Sequence, residues 1–162
     1  MSSDRRHACV VPFPELAELV EPWLEHSVGP RPSHGIPPHV TLLVPSPPRL
    51  DDVLDDILSF DVEFRSVRRF PDVVYLEPEP AQPFVDLTES LWRRFPDWPP
   101  YGGAHETVTP HLTVAWGAQL DEAEADIAPR LPVRARAREA VLLRQEAPER
   151  WEIVHRYPFQ GA

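Results

Sequence analysis

Apolar and polar positions along the 162-residue chain switch repeatedly between a period near two and a period near 3.6, and the switches mark out elements. Residues 7–13 read as a short apolar strand closed by Pro12 and Pro14. Leu16, Leu19, Val20 and Trp23 recur at helical spacing over 15–25, where Pro22 predicts a kinked or shortened helix. Residues 29–38 form a Gly/Pro-rich loop. From His39 to Val44 the chain reads as a strand, ended by Pro45-Ser46-Pro47-Pro48. Leu50, Val53, Leu54, Ile57 and Leu58 then predict a helix over 50–58. Strands follow at 61–69 and 72–77, and a helix at 84–95 carries Phe84, Leu87, Leu91 and Phe95. A second Pro/Gly-rich loop spans 96–109. Beyond it come a strand at 109–114, a helix at 120–131 and strands at 132–144 and 150–159. Helices interspersed with hairpin-like strand pairs favour an α+β fold over a simple parallel sheet.

Two stretches resemble each other. Pro38-His39-Val40-Thr41-Leu42, followed by Leu50-Asp51, recurs 72 residues later as Pro110-His111-Leu112-Thr113-Val114, followed by Leu120-Asp121. Each copy reads as a strand, a turn and the start of a helix. A pseudo-twofold relation between them places the two motif strands side by side, with both histidines facing one cleft. The whole chain, 1–162, then reads as one domain of two interleaved lobes, each an antiparallel sheet flanked by helices.

Residues i and i+2 of a strand share a face. His39 and Thr41 therefore point one way, as do His111 and Thr113, while Val40, Leu42, Leu112 and Val114 point into the core. Cleaving a phosphodiester needs a base for the attacking oxygen and an acid for the leaving oxygen. Histidine titrates near ~6.5 and serves as either at neutral pH. Threonine hydroxyls donate to the non-bridging phosphate oxygens, where charge accumulates. A single His-x-Thr carries little information; two matched copies point to phosphoester chemistry.

Composition narrows the partner. With 26 acidic and 16 basic residues the net charge is −10, which disfavours a long nucleic-acid groove held by phosphate neutralisation. All the basic residues are arginine, and prolines number 22. The single cysteine, Cys9, cannot form an internal disulfide and sits in an apolar run as a buried strand residue. No apolar stretch reaches the ~18 residues of a membrane span, and the first residues lack the apolar core of a signal peptide. A cytoplasmic monomer with no cofactor is expected. Seven histidines are present, yet none falls at metal-ligand spacing, so no metal site is expected.

The paired motifs, the loop Phe95-Pro96 to Pro100-Tyr101-Gly102-Gly103 and the ending Trp151-Glu152-Ile153-Val154-His155-Arg156-Tyr157-Pro158-Phe159 together resemble the 2H phosphoesterase superfamily. The likeness is to bacterial proteins of the 2′-5′ RNA ligase-like, RNA 2′,3′-cyclic phosphodiesterase group, and covers nearly the whole chain. It implies a bilobal α+β fold with a pseudo-twofold axis and a central cleft. It implies metal-independent cleavage of 2′,3′-cyclic phosphates or 2′-5′ linkages. His39 and His111 become the catalytic pair, His111 as base and His39 as acid, with Thr41 and Thr113 on the phosphate. Family members closest to the cyclic phosphodiesterase carry an arginine shortly after the second motif, where this chain has Ala115-Trp116-Gly117. That departure and the acidic charge favour a nucleotide or short oligonucleotide over structured RNA. A nucleotide-binding or sensing module using the same cleft without turnover is the alternative. Tyr101 is open to two readings, stacking on a base or packing on its lobe. His34 and His105 read as solvated loop histidines, Trp116 as a core residue on the side of Val114, and His155 as a strand residue without a role.

Overall fold

The computed structural model describes residues 5–25, 36–103, 109–148 and 150–161. Its element order is β1 (His7–Pro12), α1 (Ala17–Glu25), β2 (His39–Leu43), β3 (Phe60–Phe70), β4 (Val73–Glu79), α2 (Gln82–Arg94), β5 (Leu112–Trp116), α3 (Leu120–Ile127), β6 (Val133–Ala137), β7 (Glu139–Ala147) and β8 (Arg150–Pro158). The fold is α+β, as the alternation of patterns predicts. The strands form one eight-stranded sheet in the order β6-β3-β4-β5-β2-β1-β7-β8, rather than a separate sheet in each lobe. Every named pair is antiparallel. The two motif strands, β2 and β5, are the central pair, with four strands on each side of their junction.

The apolar stripes decide how this sheet is covered. Val20 and Leu24 of α1, Phe84, Leu87 and Leu91 of α2, and Ala123 and Ile127 of α3 all enter one core with Val40, Leu42, Leu112 and Val114. All three helices therefore pack through that core on the same side of β2 and β5, and the opposite face of the motif strands is left to the site. Two side-chain bonds hold the layer in register. The buried Thr88 hydroxyl donates to the Leu42 carbonyl at 2.7 Å. The Trp23 indole N–H donates to Asp126 at 2.7 Å, tying α1 to α3. Helix α1 runs three residues past Pro22 and stays short, at nine residues.

Several elements depart from their apolar pattern. Residues 50–58 are not a helix. Asp51 sits at φ 55°, in the left-handed region, and the backbone bonds run from Val53 to Leu50, Asp55 to Asp52 and Ile57 to Leu54, each spanning three residues. The four aspartates favour such turns over helix interiors, because their carboxylates compete for nearby backbone N–H groups. The turns still bury Leu50 and Leu54, whereas Leu58 is 66% exposed. The first motif thus has no helix to match α3. The strand expected over 132–144 is broken at Arg138 into β6 and β7, which lie in different halves of the sheet. One residue cannot span a flat eight-stranded sheet, so the sheet coils until its halves meet there. Helix α3 ends at Ile127 and continues as a 3-10 turn, Ala128–Arg130. Among the described residues no helix is long and apolar enough to cross a membrane.

Candidate active site

β2 and β5 pair antiparallel with Val40 opposite Leu112. Moving one residue along each strand sets Thr41 opposite His111 and His39 opposite Thr113. Val40 and Leu112 are both fully buried on the helix side, so these four polar residues share the other face. Directly opposed side chains on a sheet lie ~5 Å apart and diagonal ones ~7–8 Å. The histidines occupy one diagonal of this square and the threonines the other.

The two histidines have the same local setting. The His39 Nδ1–H donates to the Pro37 carbonyl at 3.0 Å, and the His111 Nδ1–H to the Thr109 carbonyl at 2.7 Å. A carbonyl only accepts, so Nδ1 carries the proton and Nε2 is the nitrogen that can exchange one with a ligand. The proline before each histidine contributes to this. It restricts Pro37 and Thr109 to extended backbone, which aims their carbonyls at the ring two residues on.

His39, Thr41 and Thr113 line one cleft of about 340 Å³. Its remaining wall is apolar and includes Val10, Val44, Val73, Trp116, Leu143 and Trp151. His111 is not among the residues lining this cleft. It stands against Phe70 and Tyr75, with ring centroids 5.3 and 5.6 Å away and both contacts edge-on. Phe70 and Tyr75 stack on each other at 4.4 Å. Burial lowers the pKa of His111 below the ordinary 6.5, and its bond to the Thr109 carbonyl opposes part of that shift.

Tyr101 does not line the cleft. Its backbone N–H donates to the Val44 carbonyl at 2.7 Å, beside the end of β2. Burial pushes its phenol above the usual value. His34 and His105 lie outside the described residues. His155 is exposed and lies beside Tyr157 at 4.4 Å, away from this cleft. Cys9 is fully buried and its thiol is pushed up to about 12 by burial, so it is inert.

Four residues at the site escape sequence reasoning. Trp116 packs partly on the core but also lines the cleft. Between β4 and β5 the pairing moves from Val74–Ala115 to Tyr75–Thr113, two residues on β5 against one on β4. This bulge resets the alternation and turns Trp116 to the side of Thr113. Tyr75 reaches His111 through the β4–β5 pairing and Phe70 through the β3–β4 pairing, relations that a single sequence does not contain. Trp151 arrives from β8, and its buried Nε1 has no hydrogen-bond partner. Such an orphan donor costs about 1–3 kcal/mol. Among the described residues no three His, Cys, Asp or Glu side chains gather as a metal site.

A model of the 2'-5' RNA ligase superfamily matches residues 12–149. Three solved structures share the fold. E. coli LigT complexed with NADP+ aligns with a TM-score of 0.61 at 17% identity, over 96% of this chain and 97% of that one. E. coli LigT complexed with 3'-AMP gives 0.61 at 16%, over 96% and 98%. TT0787 of Thermus thermophilus gives 0.63 at 21%, also over 96% and 98%. No curated protein sequence matches. With the family match spanning most of its length and paired His-x-Thr strands at the centre of its sheet, the chain belongs to the 2'-5' RNA ligase superfamily.

Proposed function

We propose that the chain is a phosphodiesterase acting on 2′,3′-cyclic phosphates or 2′-5′ linkages of nucleotides and short oligonucleotides, working as a single two-lobed domain with His39 and His111 as its proton-transfer pair. The observation that carries this reading is the β2–β5 register, in which both His-x-Thr motifs share one sheet face. The nucleotides in the LigT complexes support the substrate class.

In this mechanism His111 is the base. Its lowered pKa keeps Nε2 unprotonated at neutral pH. Nε2 takes a proton from water as the water oxygen attacks phosphorus. The bond from phosphorus to the ribose oxygen breaks, and protonated His39 delivers a proton to that leaving oxygen. Thr41 and Thr113 donate hydrogen bonds to the non-bridging oxygens, which gain charge as the fifth bond forms. Ligation runs the same transfers in reverse, with the histidine roles exchanged. Both proton carriers come from the chain, so the reaction is expected to proceed in EDTA.

The test is a panel of nucleoside 2′,3′-cyclic phosphates and 2′-5′ oligoadenylates incubated with the protein in EDTA, with products resolved by chromatography. Accumulation of 2′- or 3′-monophosphates, or of oligoadenylate cleavage products, is the expected result. Calorimetry showing tight nucleotide binding with no product would replace this reading with the binding-module alternative.

A further inference from the structure

We infer that the protein carries a second ligand site, a cationic pocket on the helix side of the sheet that takes a short chain of two or three linked phosphates. It lies on the opposite sheet face from His39 and Thr41, and it does not rest on the phosphodiesterase reading.

Alternation along β1 and β7 separates the two faces. Ala8, Val10 and Leu143 line the cleft of His39. Their neighbours His7, Leu142 and Arg144 line a different pocket, of about 770 Å³, on the other side. His7 stands opposite Arg144, and Leu142 opposite His155. Basic side chains from β1, β7 and β8 therefore gather over one patch, which Arg5 and Tyr157 extend. The facing wall is the segment after β2 that carries Arg49. Two bonds fix that wall to the sheet. The Ser46 N–H donates to the His7 carbonyl at 2.8 Å, and the Leu50 N–H donates to the Tyr157 hydroxyl at 3.3 Å. The guanidinium of Arg49 is thus carried by a backbone already held in place.

Charge sets this pocket apart. Elsewhere the arginines of the sheet meet carboxylates of their own: Arg68 pairs with Glu77, Arg69 with Asp121 and Glu124, Arg156 with Glu139. Here Arg5 and Arg144 share the carboxylate of Glu146. Among the described residues Arg49 has no carboxylate partner. Asp51 also lines the pocket but pairs with Arg94, outside it, at 3.2 Å. Three guanidinium groups set against Glu146 leave an excess of positive charge, in a chain whose net charge is −10. The Tyr157 hydroxyl accepts from Leu50 and keeps its own proton to donate. Guanidinium forks hold phosphate oxygens in pairs. The donors stand on three neighbouring strands and a facing turn, a span of about two strand spacings, ~10 Å. One phosphate or carboxylate reaches only part of that row; linked phosphates offer acceptors along it. A long polyanion does not fit, because the exposed Asp51, Asp52, Asp55 and Asp56 follow Arg49 along the same turns and repel its ends.

The test is calorimetry of the full chain with sodium tripolyphosphate, in metal-free buffer at about 0.15 M salt. Arg49→Ala removes an exposed guanidinium and is expected to weaken binding about tenfold. Thr41→Val, in the cleft of His39, is expected to change it by less than about twofold. Orthophosphate is expected to bind about tenfold more weakly than tripolyphosphate. Absence of tripolyphosphate binding, orthophosphate binding of equal strength, or binding that Arg49→Ala leaves unchanged overturns the inference. Equal weakening by Arg49→Ala and Thr41→Val overturns it as well. Should Arg49→Ala fail to fold, the wild-type protein answers by NMR. The imidazole signals of His7 and His155 are expected to move as tripolyphosphate is added, and their standing still overturns the inference. Adenosine triphosphate, titrated into Thr41→Val, separates the two sources of such a ligand. Binding tighter than that of tripolyphosphate makes the ligand a nucleoside triphosphate; weaker binding makes it a free oligophosphate. Both results uphold the site.

Discussion

His39 and His111 share a backbone setting and differ in what surrounds the ring. Each follows a proline and donates from Nδ1 to the carbonyl two residues back. His39 opens onto a cleft walled by aliphatic and tryptophan side chains. His111 stands against the Phe70–Tyr75 stack and is partly buried, which lowers its pKa. The repeated motif fixes the tautomer in both copies; the neighbours, which are not repeated, lower the pKa of His111.

The strongest way to break the comparison is to remove either ring. His39→Ala and His111→Ala are each expected to lower kcat on a nucleoside 2′,3′-cyclic phosphate by about 10²–10⁴-fold, with thermal unfolding little changed. Next come the hydroxyls. Thr41→Val and Thr113→Val, which keep the strand shape, are expected to cost about 10²-fold in kcat each. A loss confined to one would show that the square is used asymmetrically. A smaller effect sharpens the difference between the rings. Phe70→Ala lets water reach His111, so the acid limb of kcat/KM should move upward toward pH 6.5. The smallest effect is on stability. The folded pKa of His111 lies below its unfolded value, so on acidification the unfolded chain takes up the proton first. Stability therefore falls as the pH drops below about 6.5 and levels off beneath the folded pKa. Melting temperatures at about pH 7.5 and about pH 5 should drop more for wild type than for His111→Gln.

Much of the fold is legible from the chain because strand and helix periods differ. The strands around Val62–Val67 and Val73–Leu76 and the helix carrying Phe84, Leu87 and Leu91 stand where the apolar pattern puts them. The same holds for the faces of β2 and β5, since alternation alone separates His39 and Thr41 from Val40 and Leu42. What resisted reading depends on relations between distant elements or on local backbone chemistry. Leu50 and Leu54 reach the core from turns, so helical spacing there misreports the backbone. Trp116 faces the cleft only because β5 gains a residue against β4. Phe70, Tyr75 and Trp151 belong to the site through strand order, and the neighbours in this eight-stranded sheet cannot be deduced from spacing.

The central claim is that the two motifs act as a unit because β2 and β5 bring them to one face. Kinetics of His39→Ala, His111→Ala and the double variant on uridine 2′,3′-cyclic phosphate, in EDTA, test it most directly. Residues that act together are strongly non-additive. The account predicts that the double variant is within a few-fold of the worse single variant. A double variant that loses the product of the two single effects, or a single variant that keeps full activity, would contradict it.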